Sequence, residues 1–194
     1  MKRIRITRDA GGDVSFETVN VDRTENVFFI NLDPLAEHQP DLISNKLGPA
    51  PSAPSSQAQP DPTGTKTQVV YKCLIAGHGN ESGIINIFPV LAADVTALSN
   101  ATRGQPIAQQ RVVKGGKSPY QISNEVFQIV DGAGNILQNG AGIGPGLQLV
   151  PTPDNKGIFV QGTPAVSGIY QFSFEVDDGM GGNLQQVQYS MTVT

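Results

Sequence analysis

The sequence predicts an all-β protein of two consecutive sandwich domains, and three observations carry that expectation. Short stretches rich in Val, Ile, Phe and Thr recur along the 194 residues, punctuated by 22 glycines and 14 prolines, the composition of many strands joined by tight turns. No stretch of ten or more residues keeps a helical period. Two strand series are separated by a short connector near residue 93, which divides the chain into domains at 1–92 and 93–194.

The strands follow in order. Lys2–Arg8 and Val14–Val21 flank the turn Asp9-Ala-Gly-Gly-Asp13, a good hairpin connection. Asn26–Asn31 is the next strand. Residues 44–64 then carry Pro49, Pro51, Pro54, Pro60 and Pro62. Such a segment supports neither a ladder nor a helix, and reads as a long extended loop. Thr65–Cys73 and Gly83–Val90 complete the first series. Ala93–Asn100 is a connector with room for one helical turn. The second series is Ile107–Val113, Gln121–Asp131, Gly146–Val150, Gly157–Gln161, Gly168–Asp177 and Leu184–Val193. In the last pair, Tyr170, Phe172, Phe174 and Val176 alternate onto one face, as do Val187, Tyr189, Met191 and Val193. The Gly-rich segment between them, 177–183, makes a terminal hairpin.

Composition excludes several function classes. Net charge is −4, and the basic residues lack the density and aromatic interleaving of a nucleic-acid footprint. No run approaches the ~20 apolar residues of a membrane span. Met1-Lys2-Arg3 is followed by alternating residues rather than the apolar core of an export signal. The single cysteine excludes an internal disulfide. The chain's only two histidines, His38 and His78, both lie within 40 residues of Cys73, and that clustering is the strongest chemical signal present.

The segments Val27-Phe-Phe-Ile-Asn-Leu-Asp-Pro-Leu-Ala-Glu-His38 and Tyr71-Lys-Cys-Leu-Ile-Ala-Gly-His78 give residues 1–92 a resemblance to the cupredoxins, the blue-copper family. An apolar strand ending in Asn leads to a first His, and a later strand ends in an aromatic and a Cys. A short loop then presents a second His before another strand. The resemblance implies an abbreviated Greek-key sandwich with a type 1 copper site for electron transfer, its ligands His38, Cys73 and His78. It also implies outer support from Asn31 or from backbone amides near Cys73. Two imidazoles and a thiolate suit an ion that alternates between Cu(II) and Cu(I). The loop after His78 has no Met, and offers Glu81 or Ser82 as the axial ligand instead. Much of the space where the family has further strands is taken by the Pro-rich loop. The exposed edge is therefore expected to be covered by that loop, by the second domain or by another subunit. Against copper stands a metal-free sandwich in which Cys73 is a core thiol. A zinc site or a Cys–His nucleophile fits the residues less well.

Gly104-Gln-Pro106, Gly115-Gly-Lys-Ser-Pro-Tyr120, Gly162-Thr-Pro164, Gly168-Ile-Tyr-Gln-Phe172 and Asp178-Gly-Met-Gly-Gly182 give residues 97–194 a resemblance to the Ig-like repeats of bacterial surface proteins. The family implies a spacer or docking module without a catalytic residue, so the whole reads as a non-enzyme. Its implied partners are a redox partner protein or other subunits, with a homo-oligomer among the expectations. Its implied setting is periplasmic, cell-surface or secreted. Asp177 and Asp178 are a candidate calcium (Ca) site or else a solvated hairpin tip. The alternative function is a metal-free structural or adhesive subunit that self-assembles by edge-strand pairing.

Overall fold

The computed structural model describes residues 1–50, 54–78 and 81–194. Pro51 of the Pro-rich loop, and Asn80 in the loop after His78, lie outside the described residues. The protein is all-β, with four sheets and no helix among the described residues. The chain forms two compact units, Met1–Phe88 and Pro89–Thr194.

Among its described residues the first unit holds six strands: β1 (Lys2–Arg8), β2 (Val14–Phe16), β3 (Val19–Asp22), β4 (Val27–Asn31), β5 (Gln68–Lys72) and β6 (Ser82–Phe88). They form two three-stranded sheets, in the orders β2-β1-β4 and β3-β6-β5. The single strand expected over Val14–Val21 is two. Phe16 pairs with Ile6 of β1, whereas Val19 pairs with Ile85 of β6, so the chain changes sheet at residues 17–18. That step lets Ile4, Ile6 and Phe29 of one sheet share a core with Val21, Tyr71 and Ile85 of the other.

The Pro-rich loop supplies the cover that the abbreviated sheet needs. Val27 and Ala58 exchange both backbone hydrogen bonds, and Ser55 N–H donates to the Phe29 carbonyl. The Ser55 hydroxyl in turn accepts from the Phe29 N–H at 2.8 Å. These bonds satisfy the outer edge of β4 without a full strand, which the prolines would not permit. A similar short pairing closes the end of β5, where Leu74 N–H donates to the Gln39 carbonyl and Asp41 N–H to that of Lys72.

The second unit comprises β7 (Ala92–Ala93), β8 (Ile107–Lys114), β9 (Gln121–Val130), β10 (Ile136–Ala141), β11 (Leu147–Pro151), β12 (Ile158–Gly162), β13 (Gly168–Asp177) and β14 (Asn183–Val193). Its sheets run β10-β9-β13-β14 and β11-β12-β8-β7. Ala92 pairs with Lys114, so the ladder of the second unit begins where the sequence ended the first domain. That strand, rather than a helical turn, starts the connector. β10 carries no alternating pattern because all six of its residues are exposed, and the sequence gives no sign of it. Tyr170, Phe172, Phe174 and Val176 are buried, and Tyr189 stacks between Phe172 and Phe174 at centroid distances of 5.5 and 5.0 Å.

Candidate metal centre

The β5–β6 hairpin sets the geometry. Lys72 pairs with Ser82, and Tyr71 with Gly83. One step beyond the ladder, Cys73 N–H donates to the Glu81 carbonyl at 3.0 Å. Residues facing each other across an antiparallel pair project to the same side, so Cys73 and Glu81 share a face. The connection turns back through His78 N–H to the Ile75 carbonyl and Glu81 N–H to the His78 carbonyl. Gly77 takes φ 91° in that turn, a conformation costly for a residue with Cβ.

His38 reaches the same point from the other side. Its N–H and carbonyl pair with Leu47, while Pro40 bridges to Cys73. The ring is fully buried and meets Phe16 edge to face at 5.6 Å. His38, Cys73, His78 and Glu81 thus converge, each with one ligand atom within 4.8 Å of the others. The thiol sulphur lies 3.9 Å from His38 Nδ1 and 3.6 Å from His78 Nδ1. Glu81 Oε2 lies 3.0 Å from the first nitrogen and 3.1 Å from the second.

These separations can be compared with the edges of a metal polyhedron. Metal bonds of about 2.0 Å to N and O and about 2.3 Å to S give tetrahedral edges of about 3.3 Å for N···O and about 3.6 Å for S···N. The observed N···O edges, 3.0 and 3.1 Å, are a little shorter, and the S···N edges, 3.6 and 3.9 Å, are equal or a little longer. Glu81 Oε2 is also buried and makes no hydrogen bond of good geometry, although both imidazole nitrogens lie within 3.1 Å of it. A buried carboxylate oxygen facing two imidazole nitrogens and making no such bond is costly in isolation. A cation among the donors removes that cost, so the residues fit a metal ion.

The cluster is anchored below and open above. Asp33, fully buried, accepts from Arg8 Nε at 3.0 Å and Nη2 at 2.8 Å, from the Leu35 N–H at 2.9 Å, and meets His38 Nε2 at 2.9 Å. The Arg8 fork holds the Asp33 carboxyl well below the usual carboxylate range, against the opposing effect of burial. Asn31 donates to the carbonyls of Ala36 and Gly48 and accepts from the Asp33 N–H. It ties down the loop that carries His38. Among backbone amides, Gln39 N–H donates to Cys73 Sγ at 3.5 Å. On the outer side, a polar cavity of about 460 Å³ is lined by Arg8, Asp13, Gly77, His78 and Glu81 among others.

The structure therefore brings His38, Cys73, His78 and Glu81 together and leaves Ser82 out. Ser82 is exposed, begins β6 and pairs with Lys72, so the alternation of the hairpin directs it away from the Cys73–Glu81 face. The calcium expectation at Asp177 and Asp178 is corrected as well. Asp178 Oδ1 accepts from the N–H groups of Met180 and Gly182, and Oδ2 from that of Lys117. Asp177 accepts from the Asn183 amide. These carboxylates shape the β13–β14 turn rather than gather around an ion. Among the described residues, the His38 cluster is the one group of three or more His, Cys, Asp and Glu side chains able to hold a metal. Sequence reasoning missed Asp33 and Arg8, whose partnership joins positions 25 residues apart.

No helix of the described residues is long and apolar enough to cross a membrane. No family model matches the sequence, and no curated protein matches it. Among solved structures, the chain is similar to CopC from Methylosinus trichosporium OB3b, with 17% identity over 54% of this chain and 91% of that one. The TM-score is 0.31.

Proposed function

We propose that the first unit binds a single copper ion through His38, Cys73, His78 and Glu81 and serves as an electron carrier. The observation that carries this reading is the convergence of the four donors, with the buried Glu81 oxygen set within 3.1 Å of both imidazole nitrogens. Copper supplies a one-electron couple when bound. The chain's part is to hold two imidazoles, a thiolate and a carboxylate in one arrangement through both oxidation states, so that little rearrangement accompanies transfer. Burial of His38 and Cys73 keeps water from one side, while the more exposed His78 edge faces the outer cavity. The hard carboxylate oxygen favours Cu(II), which sets a low potential. The resemblances support an extracytoplasmic setting, and a second unit that acts as an Ig-like spacer or docks a redox partner.

Titration with Cu(II) tests the reading. One equivalent bound, with an intense thiolate-to-copper charge-transfer band that Cys73→Ser abolishes, is the expected result. A chain that takes up no copper above its surface background overturns it.

A second reading draws on β10, the end strand of its sheet, whose Ile136 and Leu137 are 58% and 54% exposed. An apolar free edge can pair with a second copy, giving a self-assembling structural subunit. A concentration-independent monomer in sedimentation experiments excludes it.

A further inference from the structure

We infer that the second unit carries a binding site for a neutral oligosaccharide on the outer face of its β10-β9-β13-β14 sheet, built from the side-chain amides of Gln128, Asn139, Gln171 and Gln188 around Ser173. This site is separate from the metal centre and does not depend on it.

Strand alternation sets the face. Phe172 and Phe174 of β13 enter the core, so Gln171 and Ser173 point to the other side. Across the ladders, Gln171 pairs with Gln128 of β9, and Gln128 with Asn139 of β10. Ser173 pairs with Val126 of β9 and with Gln188 of β14. Residues opposite each other share a face, so all six stand together. The short Ser173 among longer neighbours leaves a depression, and a cavity of about 510 Å³ opens there. Sites for small ligands usually measure about 300–1,000 Å³. A second cavity of about 290 Å³ shares Gln171 and Gln188 and continues past Ser190 to Thr96. Beside Ser173 the sheet is bent. The ladder slips between Ser173 and Glu175 against β9, and between Phe174 and Val176 against β14, where Asn124 and Gln186 take φ 51° and 36°. Bulges bend and twist a sheet and are frequent next to functional sites, and positive φ is uncommon outside glycine.

The chemistry of the lining selects the guest. Among the described residues, no side chain lining either cavity is charged, so an ion finds no counter-charge there. A wholly apolar guest leaves the amides without partners, which costs binding. Each Gln or Asn amide offers an acceptor oxygen and two N–H donors, and a sugar hydroxyl is donor and acceptor at once. Gln128 Nε2 donates to Gln171 Oε1 at 2.6 Å, which orients the pair. The Gln128 oxygen and the Gln171 NH2 are then an acceptor and a donor on adjacent strands. Val126, 54% exposed, supplies an apolar surface for the C–H face of a sugar ring. From β10 to β14 the groove crosses three inter-strand steps of about 4.8 Å, which gives room for more than one ring.

The test uses the metal-free full chain, 15N-labelled and followed by NMR. Maltotetraose, cellotetraose, mannotetraose and tetra-N-acetylchitotetraose are added in separate titrations to about 10 mM, which covers millimolar affinities. The expected result is saturable movement of the side-chain amide signals of Gln128, Gln171 and Gln188 with at least one of these sugars, while signals of β4, β5 and β6 stay in place. Gln128→Ala and Gln171→Ala each remove one member of the amide pair from the outer face, and each is expected to weaken that sugar about 2–13-fold, the value of one hydrogen bond. No saturable movement with any of the four sugars overturns the inference, and this arm needs no variant to fold. Saturable movement confined to other parts of the chain overturns it too, as does unchanged affinity in both variants when circular dichroism shows them folded. Movement of the same amides with protein concentration alone assigns the face to a second copy and also overturns it. Metal uptake by the first unit bears on none of these outcomes, so the proposed function stands or falls separately.

Discussion

Loading the centre with a metal should stabilise the first unit alone, and the size of the effect follows from its dimensions. Zn(II) is the useful probe because it accepts the same imidazole, thiolate and carboxylate donors without redox chemistry. An ion that binds the folded state and is present at 100 times its dissociation constant adds about 2.7 kcal/mol. The first unit spans Met1–Phe88, and for a domain of that size each kcal/mol moves the melting temperature by about 4–8 °C. The expected shift is therefore about 11–22 °C. The second unit contains neither His nor Cys and provides an internal control. Hydrogen exchange followed peptide by peptide separates the two. Globally exchanging amides of β4, β5 and β6 should slow about 100-fold, by the same linkage, while those of β9, β13 and β14 keep their rates. Unchanged exchange in β5 and β6 at saturating Zn(II), or equal slowing in both units, refutes the reasoning.

Three further outcomes follow from the same structure. Glu81→Gln removes the hard anionic donor and should raise the potential of the copper form, by about 59 mV for each tenfold loss of preference for Cu(II) over Cu(I); voltammetry of the two proteins checks this. Gly83→Ala would drive a Cβ into the ring and hydroxyl of the fully buried Tyr71, and should destabilise the first unit by about 1–3 kcal/mol in urea unfolding. The pH dependence has a definite sign. The Asp33 carboxyl lies below its unfolded value of about 3.9, so its contribution is complete above pH ~4 and is lost as pH falls toward the folded value. Metal-free Asp33→Asn should show a shallower fall in stability between pH ~4 and pH ~2 in acid titrations followed by circular dichroism.

The strands most legible in sequence were those with one wet face. Gly168–Asp177 is observed with the bounds its alternation predicts, because Tyr170, Phe172, Phe174 and Val176 all enter the core. β10 was invisible for the opposite reason: with every residue exposed, no period marks it. Val14–Val21 looked continuous because both halves carry strand-forming residues, and only pairing with different sheets separates them. At the centre, the scarcity of His and Cys singled out His38, Cys73 and His78. Glu81 needed the hairpin register, which sets it across from Cys73. Arg8 and Asp33 needed tertiary structure outright, since a buried ion pair between distant positions leaves no local pattern.

His38, Cys73, His78 and Glu81 are proposed to hold one copper ion together. The most direct measurement is the metal content and visible absorption of the full chain after Cu(II) addition and removal of unbound ion, beside the Cys73→Ser variant. One copper per chain, with a charge-transfer band that vanishes in the variant, is the predicted result. Copper retained equally by both proteins, without such a band in either, contradicts it.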